Sequence, residues 1–292
     1  MTGLDPSKTK NSLCSFVRTL SILSILSIRA WFFEMSSPTP ETVLITGATG
    51  GIGSALAAVY AEPGKTLVLQ GRNAVRLAEV AAICEKKGAR VLTQTLDLRN
   101  REELAAWLRK TCALEAVDLV IVNAGVNTNI GPEGAGELWE DVQALVEVNV
   151  LAAMATVDAV LPSMRARGNG QIALLSSLAA YFGLPITPSY CASKAALKAY
   201  GEALRGWLAP EGIHINVVMP GYVESQMCRD MPGPKPFLWP ADKAARFIKR
   251  GLARDQPRIS FPFPLNFGTW FLSVLPPAMS QRLLVLLKYD RR

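Results

Sequence analysis

The sequence predicts an α/β fold, a doubly wound parallel sheet in a single domain. Two observations carry that prediction. Between Glu41 and Ser260, short apolar runs alternate with longer helical stretches. The runs lack the apolar–polar alternation of strands with one wet face, as strands buried on both sides do. In addition, a glycine-rich turn follows the first run directly and opens a helix, an order that presents backbone N–H groups to a phosphate.

The strands follow in order as 42–46 (TVLIT), 66–70 (TLVLQ), 90–96 (RVLTQTL), 117–123 (VDLVIVN), 170–176 (GQIALLS) and 213–219 (IHINVVM), with 258–261 (RISF) as a short last one. Helical patterns lie between them, such as 73–88, which ends on Gly88, and 101–112. Such a β–α repeat gives right-handed crossovers and helices on both faces of the sheet, a Rossmann-type architecture. No linker or internal repeat interrupts it. Residues 35–260 therefore read as one catalytic domain, preceded by an extension (1–34) and followed by a hydrophobic one (261–292).

Composition excludes several chemistries. The chain has 292 residues and one histidine, His214. No zinc site with two His ligands, no facial iron triad and no Ser-His-Asp triad has the residues it needs, and no metal is expected. His214 reads as a strand-edge residue without a catalytic role. The five cysteines are widely spaced, with no C-x-x-C pair, which suits a reducing, cytoplasmic setting. Net charge is +7, most of it in the two ends. The nearly neutral body argues against a nucleic-acid partner.

The ends are unusual. Residues 11–33 are apolar and Ser-rich, but only ten uncharged residues separate Arg18 from Arg29, about half of the ~20 that span a bilayer. The segment suits a transit peptide or an interfacial anchor, and a start at Met35 would exclude it altogether. Residues 259–281 carry no charge, and Pro262, Pro264, Pro276 and Pro277 break any spanning helix. That segment reads as a lid over a hydrophobic pocket. A peripheral membrane contact, helped by Arg282, Lys288, Arg291 and Arg292, is the second reading.

The glycine turn runs Thr46-Gly47-Ala48-Thr49-Gly50-Gly51-Ile52-Gly53. Glycine permits both the tight turn and the close approach of backbone to a pyrophosphate. The second strand ends Gln70-Gly71-Arg72, without the acidic residue that would bind a free ribose 2′-hydroxyl. Arg72 offers a guanidinium to a 2′-phosphate instead, so NADP is expected over NAD.

Tyr190 and Lys194 stand at i and i+4 of a helical pattern, on one face. A nearby ammonium is expected to lower the phenol's pKa towards working pH. Ser177 ends the preceding strand, where it can hold a substrate carbonyl. With Asp97-Leu98, Asn123-Ala124-Gly125, Asn149 and Pro220-Gly221-Tyr222-Val223-Glu224-Ser225, these pieces stand in an order and spacing that resembles the short-chain dehydrogenase/reductase family over roughly residues 41–260.

The resemblance implies a fold and a set of roles. Gly47, Gly51, Ile52 and Gly53 would hold the pyrophosphate, Asp97 and Leu98 would flank the adenine, and Asn123, Ala124 and Gly125 would line the cofactor channel. Tyr190 would be the acid/base, Lys194 its pKa partner, Ser177 the carbonyl orienter and Asn149 part of a water-mediated proton relay. Pro220, Gly221, Val223 and Ser225 would contact the nicotinamide side. Ser225 replaces the threonine of many members. The implied activity is NADP(H)-dependent hydride transfer between nicotinamide and a hydrophobic carbonyl/alcohol substrate. The alternatives are a 3-oxoacyl thioester reductase and a non-catalytic NADP-binding regulator. Helices near 136–167 and 188–209 suit a homodimer or homotetramer. The proline-rich segment after Ser225 is expected to form the substrate loop, with Trp239 facing substrate.

Overall fold

The structure, a computed structural model, describes residues 39–131 and 134–287. The extension 1–34 and the basic residues Lys288, Arg291 and Arg292 lie outside the described residues.

All seven predicted runs form strands: β1 (Thr42–Ile45), β2 (Thr66–Gly71), β3 (Arg90–Thr95), β4 (Leu119–Val122), β5 (Gly170–Leu175), β6 (Ile213–Pro220) and β7 (Arg258–Phe261). They pair in parallel in the order β3-β2-β1-β4-β5-β6-β7. β1, β4 and β5 are buried along their whole length. Alternate side chains serve two cores. Val43 and Ile45 enter one with Leu56 and Ile248, while Leu44 enters the other with Leu104, Val160 and Leu197. β3 departs from expectation. It is the edge strand and is mostly exposed, because only one neighbour and one helix layer cover it.

The helices are α1 (Gly51–Tyr60), α2 (Ala74–Glu85), α3 (Arg101–Leu114), α4 (Trp139–Val146), α5 (Ala152–Arg167), α6 (Pro188–Leu208), α7 (Gln226–Asp230), α8 (Ala241–Ala253), α9 (Leu265–Val274) and α10 (Pro277–Leu286). Asparagine side chains start two of them. Asn73 accepts from Arg76 N at 2.9 Å, and Asn100 accepts from Glu103 N at 3.2 Å, satisfying backbone donors that a helix leaves free. A π-turn, Glu147–Leu151, joins α4 to α5. By length and composition the continuous helix Trp139–Arg167 could cross a bilayer, yet its Val157, Val160 and Leu161 are packed in the second core.

His214 is the second residue of β6, and its Nδ1 lies 2.9 Å from Asp255 Oδ2. One expectation is corrected. Trp239 does not face the cavity described below. It stacks on Phe261 at 5.0 Å and meets Phe247 edge-on at 5.6 Å, in the layer that covers β7.

Winding reverses between β1 and β4. Their carboxyl ends diverge there and open a crevice, the usual ligand position in a sheet of this order.

Candidate active site

The crevice is one end of a cavity of about 1110 Å³. Its floor is the glycine turn. Gly47 has φ +65°, and a Cβ there would meet Ala124 Cα at 2.7 Å. A Cβ on Gly53 would collide with Gly47 O and reach Asn123 Nδ2 at 2.6 Å. The turn is braced from beneath. Asn123 Nδ2 donates to Thr46 O (3.0 Å) and Gly47 O (2.9 Å), while Thr46 Oγ1 accepts from Asn123 N and Ala124 N. Gln70 Oε1 accepts from Gly47 N at 3.0 Å, and its Nε2 donates to Leu96 O at 2.6 Å. Gly50 caps α1 without a side chain, so the helix N-terminus stays free to meet an anion.

Arg72 is exposed on the cavity rim beside Arg76 and Thr49. Asp97 and Leu98 line the same end. Arg99 forks onto Asp97, Nε at 3.0 Å and Nη2 at 2.6 Å from Oδ2. That pairing, with a smaller contribution from Arg72, holds the Asp97 carboxyl below its ordinary pKa.

Pro188 begins α6 in the first helical turn, where its missing N–H leaves no partner wanting. Tyr190 and Lys194 then project one turn apart. Lys194 is buried, donates to Leu175 O at 2.9 Å and lies 5.6 Å from the centre of the Tyr190 ring. Ser176 Oγ fixes the same turn by donating to Lys194 O at 2.7 Å. Burial draws the Lys194 ammonium down to about 8. Burial also pushes the Tyr190 phenol up to about 12, against a lowering hydrogen bond from Ser177. The expected lowering of the phenol by Lys194 is not found: withdrawal from water outweighs the hydrogen bond from Ser177.

Ser177, Gly51, Ile52, Gly125, Pro220, Gly221, Val223 and Ser225 line the cavity with the residues above. Asn149, like Trp239, is absent from its wall. It is fully buried behind it, with Oδ1 accepting from Val126 N (2.8 Å) and Nδ2 donating to Val126 O (2.9 Å) and Ser193 Oγ (3.0 Å). Its side chain thus holds the strand-end loop against α6.

Sequence reasoning missed two features. Gln70 braces the turn, and its signal was a buried amide closing an otherwise apolar strand. Glu137 holds the start of α6 through Ser189. Where a lid over a hydrophobic pocket was expected, Leu265, Phe271, Leu272 and Leu284 of α9 and α10, with Leu287 just after them, join Leu178, Phe182 and Met227 in an apolar part of the cavity wall.

A family model described as short chain dehydrogenase matches residues 41–234. An uncharacterised oxidoreductase of Myxococcus xanthus is 34% identical over 247 residues, covering 83% of this chain and 95% of the relative. Ketoacyl reductase HetN of Nostoc is 34% identical over 190 residues, 65% of this chain and 66% of its own. A short-chain dehydrogenase from Sphingobium yanoikuyae, solved in complex with NADPH, superposes with a TM-score of 0.70 at 26% identity, covering 86% of this chain and 96% of the other. With the seven-stranded parallel sheet, the glycine turn and the Tyr190–Lys194 pair at one crevice, these similarities make the chain a member of the short-chain dehydrogenase family of oxidoreductases.

Proposed function

We propose that the protein is an NADP(H)-dependent oxidoreductase interconverting a bulky, apolar ketone and its alcohol. The observation that carries this reading is one cavity lined together by the glycine turn, by Tyr190, Lys194 and Ser177, and by apolar side chains of α9 and α10. The residues fit the cofactor. Gly47, Gly51 and Gly53 let the turn close against Ala124, Ser225 and Asn123, where any Cβ would collide, and so hold the uncapped start of α1 towards a pyrophosphate. Arg72 supports a 2′-phosphate, and no carboxylate closes β2. The NADPH held by the Sphingobium protein supports the same choice. Leu98, Asn123, Ala124, Gly125, Pro220, Gly221, Val223 and Ser225 would line its length.

When bound, NADPH supplies hydride to the carbonyl carbon. The chain's own residues manage the oxygen. Ser177 donates a hydrogen bond to it, and Tyr190 delivers the proton as charge develops there. A phenol held at about 12 remains protonated at neutral pH, which suits a donor. Lys194, at about 8, can return a proton to Tyr190 within the same pH range. Asn149 positions α6 through Ser193. The retained Tyr190, Lys194 and Ser177 argue against a non-catalytic regulator. A 3-oxoacyl thioester reductase is the second reading, favoured by the likeness to a ketoacyl reductase. Among the described residues four cysteines are free, Cys84, Cys191 and Cys228 of them buried, which supports work in the cytoplasm. Exposed Trp139, Leu151 and Trp207 on α4–α6 support a homo-oligomer.

The test is NADPH oxidation, followed by absorbance, across a panel of hydrophobic ketones and a 3-oxoacyl thioester. Tyr190→Phe should lower turnover by roughly 10²-fold or more. Near-wild-type turnover in that variant overturns the assignment, and preference for the thioester selects the second reading.

A further inference from the structure

The helix pair α9–α10 presents two different faces. Leu272 and Leu284 are buried inward. Outward stand Phe263, Phe267, Trp270, Val274, Val285 and Leu286, with Phe263 79% and Leu286 77% exposed. The aromatic rings touch one another on the surface, Phe267 to Trp270 at 5.6 Å and Phe267 to Phe271 at 6.2 Å. Isolated exposed apolar residues are ordinary, but a contiguous set marks a contact surface. This one is continuous with the cavity, because Phe271, Leu286 and Leu287 are both exposed and part of its wall.

What covers the face follows from its polar groups. The hydroxyls of Thr269 and Ser273 donate back to main-chain carbonyls of α9, Leu265 O at 3.0 Å and Trp270 O at 2.6 Å, while Ser280 is buried away from the face and donates to Leu272 O at 2.7 Å. Asn266 Nδ2 is likewise turned inward, onto Ser260 O at 3.1 Å. A protein partner usually contributes about one hydrogen bond per 100–200 Å² of interface, and these side chains spend their donors within the chain. Hydrocarbon makes no such demand. No charged residue occurs from 259 to 281, after which Arg282, Lys288, Arg291 and Arg292 follow against a single Asp290. Of these, Arg282 is among the described residues and is exposed on α10, and a cation beside an apolar face complements anionic headgroups.

We propose that the α9–α10 pair seats on an anionic lipid surface, its aromatic face at the headgroup–acyl boundary, so that the apolar end of the cavity opens towards the lipid. The assignment goes beyond the oxidoreductase reading, and vesicle binding and turnover are read separately.

The test uses the full chain and vesicles of phosphatidylcholine and phosphatidylglycerol in equal parts. The wild type should sediment with them, and less with phosphatidylcholine alone. The double variant F267S/W270S, altered outside the cavity wall, should lose about ten-fold or more in partitioning while keeping turnover on a water-soluble ketone. Brominated lipid should quench part of the tryptophan emission, and W270F should remove that part, a readout that survives even if the double variant folds poorly. Equal sedimentation of both proteins, as attachment through residues 11–33 would give, overturns the proposal. So does full quenching in W270F, failure of the wild type to bind, or a self-association abolished by F267S/W270S without vesicle binding.

Discussion

Glu137 caps a helix to which it does not belong. From the loop after β4, its Oε2 accepts from Ser189 Oγ at 2.5 Å and from Ser189 N at 3.2 Å, one residue before Tyr190. Thr187, the residue at the cap itself, makes no side-chain bond to the helix. Its hydroxyl is bonded to Asn127 Oδ1 and Thr128 O instead. The same loop is thereby tied twice to the first turn of α6. Glu137→Ala should cost about 1 kcal/mol of stability and lower turnover while leaving the KM for NADPH unchanged. Thermal unfolding beside steady-state kinetics checks both, and a rise confined to that KM would contradict it.

Lys194 predicts two pH effects. Its folded pKa, about 8, lies below the 10.5 of a free lysine. The unfolded chain therefore binds more protons between these values, and stability rises with pH across that window. Below about pH 8 the buried ammonium is destabilising, so Lys194→Met should melt higher than wild type at pH 7 while losing turnover. Carbonyl reduction should fall as pH rises past about 8, and Lys194→Arg should remove that break. Calorimetry and a pH–rate profile read these outcomes.

The role proposed for Arg72 predicts a cofactor effect. Arg72→Ala should raise the KM for NADPH about ten-fold or more, the order expected for a lost charge-assisted contact to a phosphate, and leave that for NADH little changed. Equal effects on both would show that Arg72 does not read the 2′-phosphate.

At the other end of β6, Asp255 is buried with Arg205 Nη2 at 2.7 Å, His214 Nδ1 at 2.9 Å and Asn216 Nδ2 at 2.9 Å. Burial alone would raise its pKa, but bonds from His214, Arg205 and Asn216 together hold the carboxyl far below the carboxylate range. Its contribution is present above the ordinary pKa of aspartate and is lost as pH falls below it. Asp255→Asn keeps the shape and tolerates the local φ of +44°, yet strands Arg205. It should cost roughly 3–5 kcal/mol, seen in urea unfolding, with kcat unaltered where the protein is folded.

The sheet was legible because parallel strands buried on both faces are nearly uninterrupted runs of Val, Ile and Leu. β3 shows the limit, since its apolar run is exposed and only its place at the edge explains why. The cavity-wall residues were legible as motifs, as their spacing is set by strand ends and helix turns. Asn149 was not, because whether an amide faces a cavity or a loop depends on the π-turn that carries it. Trp239 misled because adjacent aromatics suggest a pocket and Phe261, its partner, is distant in sequence. The pKa of Tyr190 misled because one-turn spacing registers the ammonium and not the loss of water around both groups.

The apolar wall of the cavity is built largely from chain that follows the last strand, whereas every group proposed to act at the reacting oxygen precedes it. Chemistry and selectivity are thus written in separable stretches of polypeptide. Rebuilding the stretch beyond Phe261 would retune which molecules are accepted while leaving the proton-transfer apparatus as it stands.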